Sequence, residues 1–304
     1  MSIKIFLPVA CCLLPVASFP QLPDTDIWLF DLKDSSGFLS VSNGVNITNR
    51  PGYDNQPSFS PDGSYVLYTS IRDKQADIYK YDLKKKNITQ LCNTEESEYS
   101  PMVAPDKKSI SVVRVEKDSA QRIWKFPVKG KPEFSLVMDK IDSVGYYWWY
   151  NKDSMAMFIL TEPFSLQLVN IHKQEPKIIA LNIGRCFRWS KMGPLYYFQR
   201  NTFGKGTEAV MTYFKDEKES GAAIVLNSLV GSEDYVVLST ELFVGKGRID
   251  NFIMAKDSEL FFASSIYLDK GWIKFANLEK YNITKITRIA ISPDQKRIAI
   301  VSNK

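Results

Sequence analysis

Phe59-Ser60-Pro61-Asp62-Gly63, followed by the apolar run Tyr65-Val66-Leu67-Tyr68-Thr69, is the segment from which the architecture of this chain can be worked out. Pro-Asp-Gly is typical of a tight turn, and β-branched and aromatic residues without helical spacing are typical of a strand. The motif returns five more times, in copies that begin at Val103, Tyr150, Trp189, Met254 and Ile291. A period of about forty residues predicts a repeat architecture.

Each repeat unit is predicted to contain four strands joined by short turns. In the first complete unit the strands cover residues 57–60, 65–70, 77–83 and 87–92. The outer half of the unit repeats independently, because residues 82–91 align without gaps to residues 277–286. No amphipathic helix can be found in the pattern, so the chain is expected to be all-β.

The two ends of the chain are predicted to complete one unit together. Residues 26–32 match the outer part of a unit, but no Pro-Asp strand pair precedes them. Residues 288–292 and 297–302 match the two inner strands, and the sequence stops after them. Two C-terminal and two N-terminal strands in one sheet would close a ring and remove an exposed sheet edge. The prediction is a six-bladed β-propeller closed in this way.

A seven-bladed propeller is the alternative, because one interval between the motif copies is longer than the others. The excess lies between Trp189 and Met254, in residues 222–248. Tyr235-Val236-Val237-Leu238 within it is interpreted as an extra strand or an elaborated loop. A whole additional blade needs about forty residues, which favours six blades.

Residues 56–63, leading on to 77–83 and 88–91, resemble a blade of the TolB-type Pro-Asp repeat β-propellers, a WD-repeat-like family. The copies at 103–128 and 291–302 are weaker, and those at Tyr150, Trp189 and Met254 lack the proline. The resemblance implies a propeller, exported in bacteria, that binds proteins or peptides at one mouth of its central channel. TolB itself carries a preceding α/β domain, for which we expect no room between Ser18 and Asp26, so the resemblance extends to the module and not to the pathway.

The N-terminus is predicted to be a cleavable export signal, residues 1–18, followed by one propeller domain over residues 19–304. Lys4 precedes the apolar run 5–14, and Val16-Ala17-Ser18 provides small residues for cleavage. We therefore expect a periplasmic or secreted protein without a transmembrane span. Lipoprotein anchoring at Cys11 is the less favoured alternative to cleavage after Ser18. Cys92 and Cys186 are expected to be buried and unbonded.

The residue inventory argues against most catalytic chemistry. The 304 residues include a single histidine, His172, which lies in a predicted turn, and no HExxH motif. Each repeated aspartate occupies a turn position, where binding its own backbone is a sufficient role. The formal charge of +5 is modest, and Lys84-Lys85-Lys86 is interpreted as a solvated turn. We therefore expect no catalytic residue, cofactor, metal or nucleic-acid partner, and a monomer that binds an envelope protein or peptide.

The binding face is predicted from the phase of the repeat. In a propeller the loop that leads into each innermost strand rims one mouth of the channel, and the position four residues before each motif copy is assigned to that loop. The set is rich in residue types enriched at interfaces and comprises Asn55, Tyr99, Tyr146, Arg185, Asp250 and Thr287. The alternatives are a propeller enzyme acting on polysaccharide, either a lyase or a glycoside hydrolase, and a carbohydrate-binding propeller that uses the aromatic cluster Tyr146-Tyr147-Trp148-Trp149-Tyr150.

Overall fold

The described part of the chain folds into six four-stranded antiparallel sheets arranged as the blades of a β-propeller. The computed structural model describes residues 23–35, 38–190, 193–202, 207–215, 220–229, 236–244, 247–264 and 268–304. The prediction of six blades is confirmed, and the seven-bladed alternative is wrong. The predicted export signal and Cys11 lie outside the described residues.

Twenty-four strands and two short 3-10 helices, Leu268–Lys270 and Glu279–Tyr281, are found in the described residues. In chain order the strands are β1 (Thr25–Ser35), β2 (Phe38–Asn46), β3 (Asp54–Phe59), β4 (Tyr65–Arg72), β5 (Gln75–Asp82), β6 (Asn87–Gln90), β7 (Ser97–Val103), β8 (Ser109–Val115), β9 (Gln121–Pro127), β10 (Ser135–Leu136), β11 (Val144–Asn151), β12 (Ser154–Ile159), β13 (Ser165–Asn170), β14 (Lys177–Leu181), β15 (Ile183–Trp189), β16 (Leu195–Thr202), β17 (Thr207–Lys215), β18 (Ser220–Asn227), β19 (Val236–Val244), β20 (Gly247–Lys256), β21 (Glu259–Ser264), β22 (Ile273–Asn277), β23 (Ile286–Ile291) and β24 (Arg297–Asn303).

Five blades are built from consecutive strands, namely β3–β6, β7–β10, β11–β14, β15–β18 and β19–β22. The first strands of neighbouring blades contact one another around the axis, as β23 does with β3, β3 with β7, β15 with β19, and β19 with β23. These innermost strands therefore surround the central channel.

The sixth blade joins the two ends of the chain in the strand order β2-β1-β24-β23. β1 and β24 pair antiparallel, with Ile27 opposite Val301 and Leu29 opposite Ala299. The side chains from Ile298 to Val301 are fully buried, because β24 lies between two strands and between two neighbouring blades. The predicted closure by two C-terminal and two N-terminal strands is thus confirmed.

The apolar run in β4 reflects burial on both faces of a blade. Leu67 packs into a cluster with Val112 and Phe126 of the following blade. Tyr68, its neighbour on the opposite face, packs with Ile27 of the closing blade. A strand covered on both faces loses the alternation of apolar and polar residues that marks a half-exposed sheet.

The Pro-Asp turns that follow the innermost strands are closed by the aspartate side chain. The Oδ1 atom of Asp62 accepts a hydrogen bond from the backbone N–H of Ser64 at 3.1 Å, and Asp106 accepts one from Lys108 at 2.8 Å. In the copy at Tyr150, which lacks proline, Asn151 accepts the corresponding bond from the N–H of Asp153 at 2.9 Å. The predicted role in turn formation is confirmed for Asp62 and Asp106, whereas in the copy at Tyr150 the turn is closed by Asn151 and not by the predicted Asp153.

The motif copy at Met254 was assigned to the wrong turn. It spans the hairpin between the second strand of its blade, β20, and the third, β21, whereas the other copies follow an innermost strand. The innermost strand is β19, which begins at Val236, so Val236-Val237-Leu238 belong to a regular strand of the blade and not to an extra strand or an elaborated loop, while Tyr235 lies outside the described residues. Once the proline is lost, Lys-Asp-Ser between two apolar strands fits any hairpin of a blade.

Cys92 and Cys186 are buried, and neither forms a disulfide bond, as expected. His172 is exposed in the turn after β13, where its Nε2 atom lies 3.0 Å from Oδ1 of Asp153. Within the described ranges, we find no helix with the length and hydropathy required to cross a bilayer.

Candidate functional site

A cavity of about 450 Å³ occupies the central channel. Among the described residues, its lining comes from five innermost strands: β3, β7, β11, β15 and β23. The lining runs from the first residues of these strands, such as Tyr146, to the turns that follow them, which contribute Pro61, Lys107 and Pro293. The cavity therefore reaches the channel mouth rimmed by the Pro-Asp turns, opposite the mouth that the sequence analysis selected.

One wall of the cavity is aromatic because β11 carries five consecutive large rings, of which the first four line the cavity. Tyr147 and Trp149 face the preceding blade, where each donates a hydrogen bond to Oγ of Ser111, at 2.9 and 3.0 Å. Tyr146 and Trp148 pack toward the following blade. These four rings therefore pack between blades and also border the channel.

The turn-side mouth of the cavity has a second aromatic surface. Trp189 at the end of β15 lines the cavity, and its ring centroid lies 4.2 Å from that of the exposed Tyr150. Phe59 and a set of prolines contribute further apolar lining, comprising Pro57, Pro61, Pro101, Pro105 and Pro293. This surface is suited to apolar and aromatic guest side chains.

The opposite end of the cavity combines arginine with tyrosine. Arg288 is 6% exposed, donates a hydrogen bond to the hydroxyl of Tyr146 at 2.6 Å, and places its guanidinium 4.8 Å from the centre of that ring. Burial raises the pKa of the nearby Tyr53 hydroxyl to about 12, while the positive charges of Arg288 and Arg185 oppose this rise. The Tyr53 hydroxyl is therefore neutral at physiological pH, as an ordinary tyrosine is.

Three of the predicted binding residues come together in this cluster. Tyr99, Tyr146 and Arg185 all influence the pKa of the Tyr53 hydroxyl, and Tyr146 and Arg185 line the cavity directly. They lie at the third position of their innermost strands, β7, β11 and β15, and not in the preceding loops.

The other three predicted residues serve the fold at their positions. Oδ1 of Asn55, a buried residue in β3, accepts a hydrogen bond from the backbone N–H of Gln56 at 2.8 Å. Thr287 in β23 donates to the carbonyl of Val301 at 3.5 Å. Asp250 lies in the second strand of its blade, β20, and not beside an innermost strand. The prediction placed it wrongly because the motif copy at Met254 belongs to a different hairpin. Its carboxylate is buried and accepts hydrogen bonds from Ser190 and Tyr196 at 2.8 and 2.9 Å.

Sequence reasoning missed Tyr53, Arg188 and Arg288, because the innermost strands are irregular near their starts. The pairing register shifts between Asn55 and Ser58 in β3 and between Tyr99 and Met102 in β7, with similar shifts in β11, β15 and β23. A β-bulge inserts a residue and turns the side chains that follow it. Repeat phase alone therefore cannot identify the channel-facing positions.

A separate buried polar cluster lies between the blades β3–β6 and β7–β10. Asp77, Cys92 and Glu98 form the one group in the described ranges whose potential ligand atoms lie within 4.8 Å of one another. Each carboxylate is already engaged: Glu98 pairs with Arg114 at 3.0 Å, and Asp77 accepts from the backbone N–H of Thr94 at 3.3 Å. Burial raises the pKa of Glu98 to about 7 and raises the pKa of Asp77. We assign this network to stability.

Comparison with known proteins identifies the fold and no more. No family model matches the sequence, and no curated protein is detectably similar to it. A protein assigned as TolB from Agrobacterium tumefaciens is similar in structure, with a TM-score of 0.64 and 15% identity over 93% of this chain and 99% of that one. TolB from Acinetobacter baumannii has a TM-score of 0.56 at 10% identity over 92% of this chain and 64% of its own length.

An enzyme shares the same fold at a similarly low sequence identity. An oligogalacturonate lyase in complex with manganese has a TM-score of 0.50 at 13% identity, over 90% of this chain and 78% of the lyase. TolB-like propellers are therefore structural neighbours of this chain, but so is a catalytic one. The choice between binding and catalysis depends on the residues of the cavity itself.

Proposed function

We propose that the chain is an exported, non-catalytic β-propeller that binds a segment of another envelope protein, or a peptide, in its central channel. The observation that carries the proposal is the cavity of about 450 Å³, which combines apolar and aromatic walls with a few placed polar groups. Aromatic residues and arginine are the side chains that most often anchor protein interfaces. The likeness to TolB-type propellers supports the proposal at the level of fold.

The chemistry of the cavity favours binding over catalysis. Among its described lining residues are three tryptophans and four cationic side chains, but no aspartate, glutamate or histidine. General acid–base catalysis most often uses histidine, aspartate or glutamate within hydrogen-bond reach of the substrate; of the other side chains that can transfer a proton, the described lining has tyrosine and lysine. His172 cannot serve in the cavity, since it lies exposed in a turn of another part of its blade.

Export forms part of the same proposal, with residues 1–18 as the cleaved signal. Expression of the full-length chain in a Gram-negative host is expected to give a periplasmic product that begins at Phe19. N-terminal sequencing of the fractionated protein checks this. Retention of Met1 in the cytoplasm would contradict export, and a lipid-labelled product beginning at Cys11 would instead establish the lipoprotein alternative.

Peptide binding can be tested by selection from a random-peptide display library on the purified protein. We expect selected peptides to lose about thirtyfold in affinity for the Trp189→Ala variant, since truncation of a central aromatic anchor typically costs 2 kcal/mol or more. The matched control is Phe38→Ala, because Phe38 is 78% exposed on the outermost strand β2, far from the channel lining. Failure to select any peptide that distinguishes the two variants would contradict the proposal.

A carbohydrate ligand is the second candidate, favoured by the exposed ring of Tyr150 against Trp189 at the mouth of the cavity. Aromatic faces of this kind also accept sugar rings. Incubation with a panel of polysaccharides, with and without divalent metal, separates the cases. Release of oligosaccharide products would establish an enzyme, and binding without products would establish a carbohydrate-binding propeller.

A further inference from the structure

The side chain of Gln56 in β3 lines the cavity and is fixed at one end. Its Oε1 atom accepts hydrogen bonds from the hydroxyl of Thr69 in β4 at 2.9 Å and from the backbone N–H of Ser100 in β7 at 2.7 Å. These bonds tie the amide group to its own blade and to the following blade. The orientation of the amide is therefore set before a guest arrives, which lowers the entropic cost of binding to it.

The other end of the same amide is unpaired. The Nε2 atom carries two N–H donors, and no group in the described part of the chain accepts a hydrogen bond from it. Gln56 is half-buried, so this donor is partly removed from bulk water. A donor in such a place gains from a ligand that brings an acceptor oxygen.

Ser100, which is bonded to Gln56 through its backbone N–H, brings a second unpaired group to the cavity lining. Its Oγ atom is buried and has no hydrogen-bond partner among the residues that the structure describes. A buried hydroxyl without a partner destabilises the free protein, and such groups are rare in native structures. A hydrogen bond to a guest would remove that cost.

The backbone of both residues is strained. Gln56 and Ser100 lie at the bulges of β3 and β7, and a proline follows each of them. Their φ angles are 58° and 53°, in the left-handed region that residues other than glycine seldom adopt. Strain of this kind is concentrated at active sites and ligand clamps. Pro57 and Pro101 have no N–H, so the Gln56 amide supplies a donor where the backbone of these two positions has none.

We propose, as an extension of the proposed function on which it rests, that Gln56 and Ser100 form a main-chain anchor for an extended peptide guest. Nε2 of Gln56 donates to a carbonyl oxygen of the guest, and the Ser100 hydroxyl binds a neighbouring main-chain group. Main-chain hydrogen bonds form whatever side chains the guest carries. This anchor therefore sets the position of the guest in the channel, while the aromatic surface at Trp189 distinguishes guest side chains.

Gln56→Glu tests the anchor, because it keeps an oxygen for the bonds from Thr69 and Ser100 and replaces the donor with a second acceptor. A peptide selected through Trp189 is expected to bind this variant about tenfold more weakly. The matched control is Gln174→Glu. Gln174 also has a positive φ, of 54°, and its Oε1 atom accepts from the backbone N–H groups of residues 139 and 140, at 3.1 and 2.9 Å. It lies outside the cavity lining, so its replacement should change affinity by less than about twofold.

The negative charge that Gln56→Glu adds is separated from the lost donor by changes in the guest. Each peptide bond of the selected peptide is replaced in turn by an ester, whose carbonyl is a weaker acceptor. At one bond the ester should weaken binding to the wild-type protein by about fivefold and binding to Gln56→Glu by less than about twofold. At the other bonds the two proteins should respond equally.

Ser100→Ala separates recognition from a purely structural role. Because it removes a buried hydroxyl that has no partner, the midpoint of thermal unfolding should stay unchanged or rise. Affinity for the selected peptide should nevertheless fall by about threefold. Unchanged affinity would overturn the contact assigned to Ser100. If Gln56→Glu does not fold, the ester replacements are compared between the wild-type and Ser100→Ala proteins, and equal responses at every bond would overturn the anchor.

The outcomes distinguish this inference from the function on which it rests. Selected peptides that depend on Trp189, bind Gln56→Glu as tightly as the wild-type protein and tolerate every ester would overturn the main-chain anchor and leave peptide binding intact. Selection of no cavity-dependent peptide would overturn both. If a polysaccharide instead bound the wild-type protein but not Gln56→Glu, the amide would serve a sugar hydroxyl, and the peptide assignment would be overturned.

Discussion

Removal of residues 297–304 is expected to prevent the protein from folding to a stable monomer. The deletion takes away β24, which lies between β23 and β1 in the closing blade. It removes three large and fully buried aliphatic side chains, Ile298, Ile300 and Val301, each of which contributes about 2 kcal/mol by burial. It also leaves two strand edges unpaired. Because folded domains are stable by only about 5–15 kcal/mol, the loss is expected to abolish cooperative unfolding.

Size-exclusion chromatography and thermal unfolding followed by near-ultraviolet circular dichroism would measure this result. Two point substitutions show how much of the effect comes from the loss of single apolar side chains and how much from the loss of the closing strand. Ile300→Ala is expected to cost about 3 kcal/mol, whereas Ile178→Ala, at a residue 59% exposed on the outermost strand β14, should cost less than about 0.5 kcal/mol. A truncated protein that remained monomeric with an unchanged unfolding midpoint would contradict a ring closed by this strand.

Replacement of Arg114 by methionine is expected to destabilise the fold by about 3 kcal/mol at pH 8. Arg114 lies 3.0 Å from the fully buried carboxylate of Glu98, and its guanidinium lies 4.3 Å from the ring centre of Phe134. Methionine keeps much of the apolar packing but leaves Glu98 as a buried negative charge next to Asp77. Loss of one partner from a buried ion pair typically costs about 3–5 kcal/mol.

The destabilisation caused by Arg114→Met should depend on pH, because it depends on the protonation of Glu98. Burial raises the folded-state pKa of this residue from 4.5 to about 7, so the folded protein binds a proton that the unfolded chain releases. Stability from Glu98 is therefore fully present below about pH 4.5 and is lost as the pH rises through 7. The penalty for Arg114→Met should fall to about 1 kcal/mol at pH 5, where Glu98 can take up a proton.

Urea unfolding at pH 5, 6, 7 and 8 checks this prediction. Glu98→Gln should flatten the pH dependence over this range, and the double variant Arg114→Met/Glu98→Gln should be more stable at pH 8 than Arg114→Met alone. The matched control is Lys117→Met, which breaks an ion pair with Glu95 between side chains that are 72% and 80% exposed and should cost under about 0.5 kcal/mol. Equal penalties at pH 5 and pH 8 would contradict the assigned role of Glu98.

The Met254 copy illustrates where pattern reading fails. The turns at Asp62 and Asp106 were located correctly, since an aspartate that binds its own backbone acts over a few residues and leaves a local signature. The hairpin at Met254 has a similar local pattern but joins a different pair of strands. Hydrophobic alternation and turn residues identify a hairpin without identifying its place in a blade.

The residues of the candidate site were predicted only in part, because the sequence does not show where the innermost strands are irregular. Tyr99, Tyr146 and Arg185 were identified from their position in the repeat, and they do gather around Tyr53. Arg288 was missed although it immediately follows the predicted Thr287. The register shift between Ile286 and Arg288 changes which side chain points to the axis, and no residue type in the sequence marks such a bulge.

The sequence by itself favoured six blades over seven and determined the closure of the ring and five of the turns after the innermost strands, because a strand-turn-strand repeat of about forty residues is a local signal. The cavity is a different kind of property, since it exists only where strands distant in sequence converge. Arg288 and Tyr146, 142 residues apart in the chain, meet there through a hydrogen bond and a cation–π contact. The charge and shape of the channel were therefore decided by the tertiary structure, through the exact rotation of side chains on bulged strands.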